Sequence, residues 1–151
     1  MGEPSFVERM GDLFHGVGQP RIAGNVFGFL LICAPPEQNA AQIREEVGAS
    51  VGSVNTTLRL LRGAGFVERR GEPGSRRLWY RIAPGAFSRV LSNRLRLVSQ
   101  LRALAETGLS ETGPQEAQAD RLREMRDCYA FFELEFPALL ERYEATLEKK
   151  T

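Results

Sequence analysis

Apolar residues recur every three or four positions along most of this chain, and short runs rich in glycine and proline separate these stretches. The spacing predicts an amphipathic helix that begins after Ser5, a good N-cap, and ends near Gly16. A second helix should begin at Pro20 and end before Pro35-Pro36, because proline suits a first turn and cannot continue a helix.

Two closely spaced helices should follow. Asn39 is the expected N-cap of a short helix that ends at Gly48, and Ser50 is the expected N-cap of the next. Gly63 and Gly65 should end this fourth helix. Its predicted inward face consists of Val51, Val54, Leu58 and Leu61.

A β-hairpin comes next, because two β-rich runs flank a turn. The runs are "FVERR" and "RLWYRI", and the turn between them is "GEPGS". A short helix, a tight turn, a second helix and a two-stranded hairpin, in this order, are typical of a winged helix-turn-helix. The predicted fold class is therefore mainly α with a small β-hairpin.

Two long helices complete the chain. The first should begin at Pro84, and residues 107–114 should form a loop. In the second, apolar residues alternate at steps of three and four, a heptad pattern that buries a seam against other helices. Those residues are Leu122, Met125, Tyr129, Phe132, Phe136, Leu139 and Tyr143. Pro137 predicts a kink or break between Glu133 and Pro137.

Charge is unevenly distributed, although the net charge of the 151 residues is only +1. Residues 56–81 carry seven arginines against two glutamates, a net charge of +5, whereas residues 105–148 carry eleven acids against four arginines. Residues 50–67 contain no acid at all. A local cationic surface of this kind indicates an anionic partner.

The outward face of the fourth helix has the chemistry of a DNA-reading helix, with small and hydrogen-bonding residues followed by arginine. The candidate contacts are Ser50, Ser53, Asn55, Thr56, Arg59 and Arg62. An ordinary solvated helix face is the alternative. Around the hairpin turn, the candidate phosphate contacts are Arg69, Arg70, Arg76 and Arg77. The alternatives there are a solubilising turn, or pairing with the acidic C-terminal helices.

The sequence resembles the MarR-type winged-helix transcription regulators, most closely the branch typified by GbsR, a choline-responsive repressor. The resemblance rests on residues 20–26 ("PRIAGNV"), Pro35-Pro36, residues 49–54 ("ASVGSV"), residues 65–69 ("GFVER") and the late "FFELEFPALLERY". Two positions depart from the branch pattern. Asn25 stands where a basic residue is common, which should remove a phosphate contact, and Asn55 stands where serine is common, which should alter the base that is read.

The resemblance implies a homodimer that binds double-stranded DNA at a near-palindromic operator. Residues 1–19 would form an N-terminal dimerisation helix, residues 20–83 the DNA-binding domain, and residues 84–151 a C-terminal helical dimerisation region. The implied dimer contacts are Phe6, Met10, Leu122, Met125, Phe136, Leu139 and Tyr143. The resemblance also implies an effector pocket, for which Trp79, Tyr129 and Phe132 are candidates. Their alternative role is core packing.

Other chemistries find little support in the sequence. A single histidine and two cysteines predict no metal site, no cofactor and no catalytic set, so we expect no enzyme. Cys33 and Cys128 should be buried and inert, with a redox role for Cys128 as the alternative. The longest apolar run has nine residues, where a membrane span needs about 20, and the N-terminus lacks a signal-peptide pattern. We therefore expect a cytoplasmic protein.

The sequence thus predicts a sequence-specific, DNA-binding transcriptional regulator, a homodimeric repressor relieved by a small-molecule effector. One alternative is a winged-helix protein-interaction module, whose basic wing docks on an acidic partner. Another is an effector sensor whose contact with DNA is secondary.

Overall fold

The computed structural model describes residues 2–112 and 116–150, apart from the side chain of Glu116. In these ranges the order of the helices and of the hairpin is the predicted one. The elements are α1 Phe6–Gly16, α2 Arg21–Ile32, β1 Gln38–Asn39, α3 Ala40–Val47, α4 Val51–Gly63, β2 Val67–Gly71, β3 Leu78–Ile82, α5 Ala86–Thr112 and α6 Glu116–Glu148. The chain divides into two compact units between Ala86 and Phe87.

Side-chain caps begin three of the helices at the residues that the sequence predicts. The Ser5 hydroxyl accepts the N–H of Glu8, and the Glu8 carboxylate accepts the N–H of Ser5 at 2.7 Å. This second bond favours the ionised carboxylate and lowers the pKa of Glu8. Asn39 and Gln42 form the same reciprocal pair at the start of α3, and Ser50 caps α4. All three predicted N-caps are confirmed.

The turn between α3 and α4 is short because Gly48 reverses the chain in one residue. Its φ is 64°, in the left-handed region that a side chain disfavours, and its N–H still donates to the carbonyl of Arg44. Only Gly48, Ala49 and Ser50 separate the two helices. This is the tight turn that a helix-turn-helix requires.

The core of the first unit lies between α2, α3, α4 and the sheet. Its buried members are Val26, Phe27, Leu30, Ile43, Val54, Leu58, Leu61, Val67 and Tyr80. Of the predicted inward face of α4, Val54, Leu58 and Leu61 belong to this set. The packing holds α4 against the other two helices by a single apolar side, which leaves its other side for contacts outside the chain.

The sheet contains one more strand than the predicted hairpin. β3 pairs antiparallel with β2 on one edge and with β1 on the other, so the order is β1-β3-β2. Trp79 lies opposite Arg70 on β2 and opposite Asn39 on β1. β1 has two residues, too short to give an alternating pattern in the sequence.

Helices α1 and α2 approach so closely that glycine is required where they cross. A Cβ at Gly24 would lie 2.7 Å from the Cα of Gly11, and closer still to the carbonyl oxygen of Met10. The side-chain oxygen of Asn25 is buried at the same crossing, beside Gly11. Asn25 therefore contributes to the packing of α1 on α2, and the loss of a phosphate contact at this position stays a prediction.

The second unit is an antiparallel pair of long helices. Gly108 of α5 packs against Leu122 of α6, and Arg102 of α5 pairs with Glu133 further along α6. The hydrogen bond from the Arg102 guanidinium lowers the pKa of Glu133.

One prediction for this unit is wrong, and a second is wrong in part. Residues 107–112 continue α5, where Ser110 and Thr112 donate their hydroxyls to backbone carbonyls of the preceding turn. These polar side chains therefore do not require a loop. Gly113 and Pro114, the end of the predicted loop, lie outside the described residues. Of the kink or break predicted between Glu133 and Pro137, the break is absent, because α6 is helical from residue 116 to residue 148 with Pro137 inside it. The kink stays a prediction. Proline removes one backbone donor, and the rest of the helix keeps its hydrogen bonds.

Replacing Gly24 with alanine should destabilise the first unit. The new Cβ would meet the backbone of α1, which cannot rotate away, so we expect a loss of about 1–3 kcal/mol in the free energy of unfolding. Urea denaturation at fixed protein concentration measures this loss. Gly16→Ala is the matched control, because no atom lies within 4 Å of a Cβ at Gly16. Equal stability of the two variants would contradict the close crossing.

Candidate nucleic-acid interface

The predicted DNA-reading face of α4 is exposed. Gly52, Thr56 and Arg59 follow one another at steps of four and three, so they share one side of the helix, and all three are exposed. Asn55 and Arg62 are exposed beside them. Gly52 is notable because a Cβ built there would meet no atom of the chain within 4 Å.

The first turn of α4 also carries the cap. The N–H of Ser53 donates to the Ser50 hydroxyl at 3.2 Å, and the Ser50 hydroxyl donates to that of Ser53 at 2.9 Å. Ser50 is therefore occupied mainly by the cap. The Ser53 hydroxyl is exposed and keeps its own hydrogen for a further acceptor.

One predicted core residue of α4 is not in the core. Val51 is 55% exposed, and Thr57 is buried in addition to Val54, Leu58 and Leu61. Leu58 lies two turns further on, on nearly the same side of the helix as Val51, so rotation of α4 does not explain the exposure. Val51 is exposed because it is the first residue of α4 and lies beyond the part of the inner face that α2 and α3 cover.

The wing is the hairpin of β2 and β3, and its turn is ordered by hydrogen bonds within the turn. The N–H of Ser75 donates to the carbonyl of Glu72 at 3.0 Å, and the N–H of Arg77 donates to the Ser75 hydroxyl at 3.0 Å. The Arg77 guanidinium lies 5.8 Å from the centre of the Trp79 ring, a cation–π distance. Arg76 and Arg77 are thus presented from a defined turn and are both exposed.

Two crevices connect α4 with the wing and gather most of the predicted arginines. The first, of about 580 Å³, is lined by Asn55 of α4 together with Arg76 and Arg77 of the wing. The second, of about 500 Å³, is lined by Arg59 and Arg62 of α4 and by Arg69 of β2. Guanidinium groups that share a crevice repel one another, and an anion placed among them relieves that repulsion.

Arg70 differs from the other wing arginines. Its guanidinium donates to Glu37 at 2.6 Å, and Glu37 also lies 3.6 Å from Arg81. Arg81 in turn pairs with Glu68 at 2.5 Å. Arg70 therefore fastens β2 to the segment before β1 and is neutralised within the chain. Glu37 is a functional neighbour that the sequence did not reveal, because it lies 33 residues from its partner.

The candidate effector residues fall in different units. Trp79 is half-buried in β3 and lines a crevice of about 660 Å³ with Glu37, Arg70, Glu72 and two prolines. Tyr129 and Phe132 lie on α6 in the second unit, the first half-buried and the second exposed. A pocket that all three share stays a prediction.

The two cysteines differ in exposure. Cys33 is half-buried, and desolvation raises the pKa of its thiol, which favours the unreactive protonated form. Cys128 is exposed, so the prediction that it is buried is wrong. It lies on the outer side of α6, between Asp127 and Tyr129.

The described ranges contain neither a candidate metal cluster nor a candidate membrane span. There, no group of three or more His, Cys, Asp and Glu residues lies close enough to hold a metal ion. None of the helices in the same part of the chain combines the length and the apolar character that a membrane span requires.

Known proteins that resemble this chain are transcriptional regulators. Residues 85–146 match the family model described as MmpR5-like MarR family transcriptional regulator. The HTH-type transcriptional regulator MmpR5 of Mycobacterium tuberculosis (strain ATCC 25618 / H37Rv) is 38% identical over 139 residues, which cover 91% of this chain and 84% of that protein. A crystal structure described as a transcriptional regulator is also 38% identical, with a TM-score of 0.83 over 93% of this chain and 96% of that one. The chain belongs to the MmpR5-like MarR family of transcriptional regulators.

Proposed function

We propose that the protein is a sequence-specific DNA-binding regulator that acts as a homodimeric repressor on a near-palindromic operator. The observation that carries the proposal is the pair of arginine-lined crevices that join the outward face of α4 to the wing. Neither crevice contains an unpaired acid, since Glu68, at the edge of the second, is paired with Arg81.

In this proposal α4 enters the major groove. Asn55, Thr56 and Arg59 reach base edges, where arginine can bond guanine and asparagine can bond adenine bidentately. Ser53 and the exposed N-terminal N–H groups of α4 hold a phosphate. Gly52 has no side chain, and no other part of the chain lies within 4 Å of the place where its Cβ would be. The groove wall can therefore approach the helix backbone closely at this residue.

The wing lies on the DNA backbone beside the groove. Arg69, Arg76 and Arg77 bind phosphates, and each neutralised phosphate releases condensed counterions. Arg70 contributes less in this scheme because Glu37 already neutralises it. Its main part is to hold the wing in place.

The homodimer is supported by apolar surface on the second unit. A single chain exposes many large apolar side chains along α5 and α6, and a second copy of the chain would bury those that form a common patch. They include Leu91, Leu97, Leu104, Phe131, Phe132, Leu134, Leu139 and Tyr143. Of the other implied dimer contacts, Phe6 is 38% exposed, whereas Met10 packs on Gly28 within the chain. Two copies related by a two-fold axis place their reading helices about 10 base pairs apart.

An effector that relieves repression is part of the proposal. The Trp79 crevice sets an aromatic ring beside the carboxylate of Glu72, a combination that suits an organic cation. The other carboxylate of the crevice, Glu37, is already paired with Arg70. This chemistry agrees with the quaternary ammonium effector that the GbsR-like resemblance implies. The family match is to the MmpR5-like proteins, so the GbsR-like branch stays a prediction. The cytoplasmic location also stays a prediction.

Binding to the duplex upstream of its own gene tests the proposal. Fluorescence anisotropy should give an affinity at least about a thousandfold higher than for a scrambled duplex of equal length, the low end for specific sites. Arg59→Ala should weaken the specific complex by about 1–3 kcal/mol and change the preferred base. Equally weak binding to both duplexes would favour the protein-interaction module instead.

The salt dependence of binding should separate two neighbouring wing arginines. Arg76→Ala should weaken binding to all duplexes similarly and reduce the slope of log K against log salt by about 1. Arg70→Ala is the matched control, because its guanidinium is already paired with Glu37, so its slope should change less. The same change of slope in both variants would show that the pairing with Glu37 does not persist on DNA.

Replacing Gly52 with alanine should separate stability from binding. The variant should be more stable by about 0.5 kcal/mol, because alanine is the better helix former and no atom of the chain opposes its Cβ. It should nevertheless bind the upstream duplex more weakly, since the methyl group stands between the helix backbone and the DNA. Thermal melting and anisotropy measure the two effects. Unchanged affinity would mean that this side of α4 does not face the groove.

A further inference from the structure

A small apolar crevice opens beside the reading face, between α3 and α4. It measures about 170 Å³, and its lining residues are Ala40, Ala41, Arg44, Val51, Val54 and Asn55. Four of these six residues are aliphatic, whereas the candidate DNA contacts of α4 named from the sequence are polar. Val51 forms the outer wall and is 55% exposed.

The position of Val51 makes this exposure informative. A single exposed valine is ordinary on a protein surface. Val51, however, is the first residue of the helix proposed to enter the groove, and the N-terminal residues of such a helix contact base edges. Asn55 follows four residues later, so its Cβ lies about 5–6 Å from that of Val51 on the same side of the helix.

The two side chains together match one edge of an A·T base pair. In the major groove the 5-methyl group of thymine is the apolar group available for contact, and adenine presents an acceptor at N7 beside a donor at N6. An asparagine amide can bond both adenine positions, while aliphatic side chains pack on the methyl group. The methyl group occupies about the volume of a water molecule, about 30 Å³, so the crevice has room for it.

We propose that Val51 and Ala41 form a thymine-methyl subsite and that Asn55 bonds the adenine beside it, so that each half-site of the operator contains a required A·T pair. This proposal rests on the proposed function, because it names one base pair that α4 would recognise in the operator. Arg44, at the rim of the crevice, is placed to hold the phosphate that flanks this base pair.

Duplexes that lack one methyl group at a time test the subsite. Each thymine of a half-site is replaced in turn by deoxyuracil, which removes only the 5-methyl group. For the wild-type protein, the replacement at one of these positions should weaken binding about fourfold. This is the change in affinity expected for one buried methylene-sized group. Each adenine is then replaced in turn by 7-deazaadenine, which lacks the N7 acceptor. The adenine whose replacement weakens binding should lie in the same base pair as the sensitive thymine or in the adjacent one, because Asn55 is next to Val51.

Variants then assign the effect to its residue. In Val51→Ala the difference between thymine and uracil should fall below about 1.5-fold, because the packing partner of the methyl group is lost. Asn55→Ala should instead remove the sensitivity to 7-deazaadenine. Leu60→Ala is the matched control. Leu60 is another exposed aliphatic residue of α4, nine residues from Val51 and so on the opposite side of the helix, and this variant should keep the fourfold difference.

The outcomes separate the subsite from the function. If the wild-type protein prefers its operator but no thymine is sensitive, or if the sensitivity persists in Val51→Ala, the subsite is wrong and the regulator proposal stands. If the protein shows no preference for its operator, the proposed function fails and the subsite fails with it.

Discussion

The burial of one side of α4 fixes the rotation of that helix about its axis, and every contact proposed between α4 and DNA depends on this rotation. Val54, Leu58 and Leu61 are within 2% of complete burial against α2 and α3. Each residue turns the helix by about 100°, so a shift of one position would bury a different set of side chains and turn Asn55 and Arg59 away from the groove. Because interiors are packed without spare volume, such a shift would be costly, and the reading face is therefore held by the core rather than by its own residues.

The arginines of the wing divide into those that build the wing and those that remain for a partner. Arg70 and Arg81 share Glu37, and Arg81 also holds Glu68, so these charges are satisfied between strands of the sheet and the segment before β1. Pairs of this kind on a surface stabilise a protein by at most about 1 kcal/mol each. Their main consequence is positional: they hold β2, which carries Arg69, and β3, which begins directly after Arg77. A sequence alone cannot make this division, because all of these arginines have the same local pattern.

Features that depend on neighbours along the chain were predictable, and features that depend on distant parts were not. Caps, helix order and the hairpin follow from spacing within a few residues, and Ser5, Asn39 and Ser50 all begin their helices as predicted. The exposure of Val51 depends on where other helices end. The pairing of Glu37 with Arg70 depends on a contact between residues that are 33 positions apart in the chain. The loop predicted after residue 107 was wrong because hydroxyl groups that often leave a helix can also bond inside it. The residues proposed to read bases were all found on exposed positions of α4, but their roles stay predictions.

The charged and uncharged parts of this surface contribute different properties to one binding event. Arginines bonded to phosphates give affinity to any duplex, and salt weakens that contribution for specific and nonspecific DNA alike. The contacts proposed for Asn55 and Val51 displace no counterion, so they add discrimination that salt leaves largely unchanged. A surface of arginines alone would hold the protein anywhere on a chromosome, and one without them would bind too weakly to search it. The small apolar crevice shares Asn55 with the first arginine-lined crevice. Such a combination therefore suits a protein that must first hold DNA and then recognise one sequence in it.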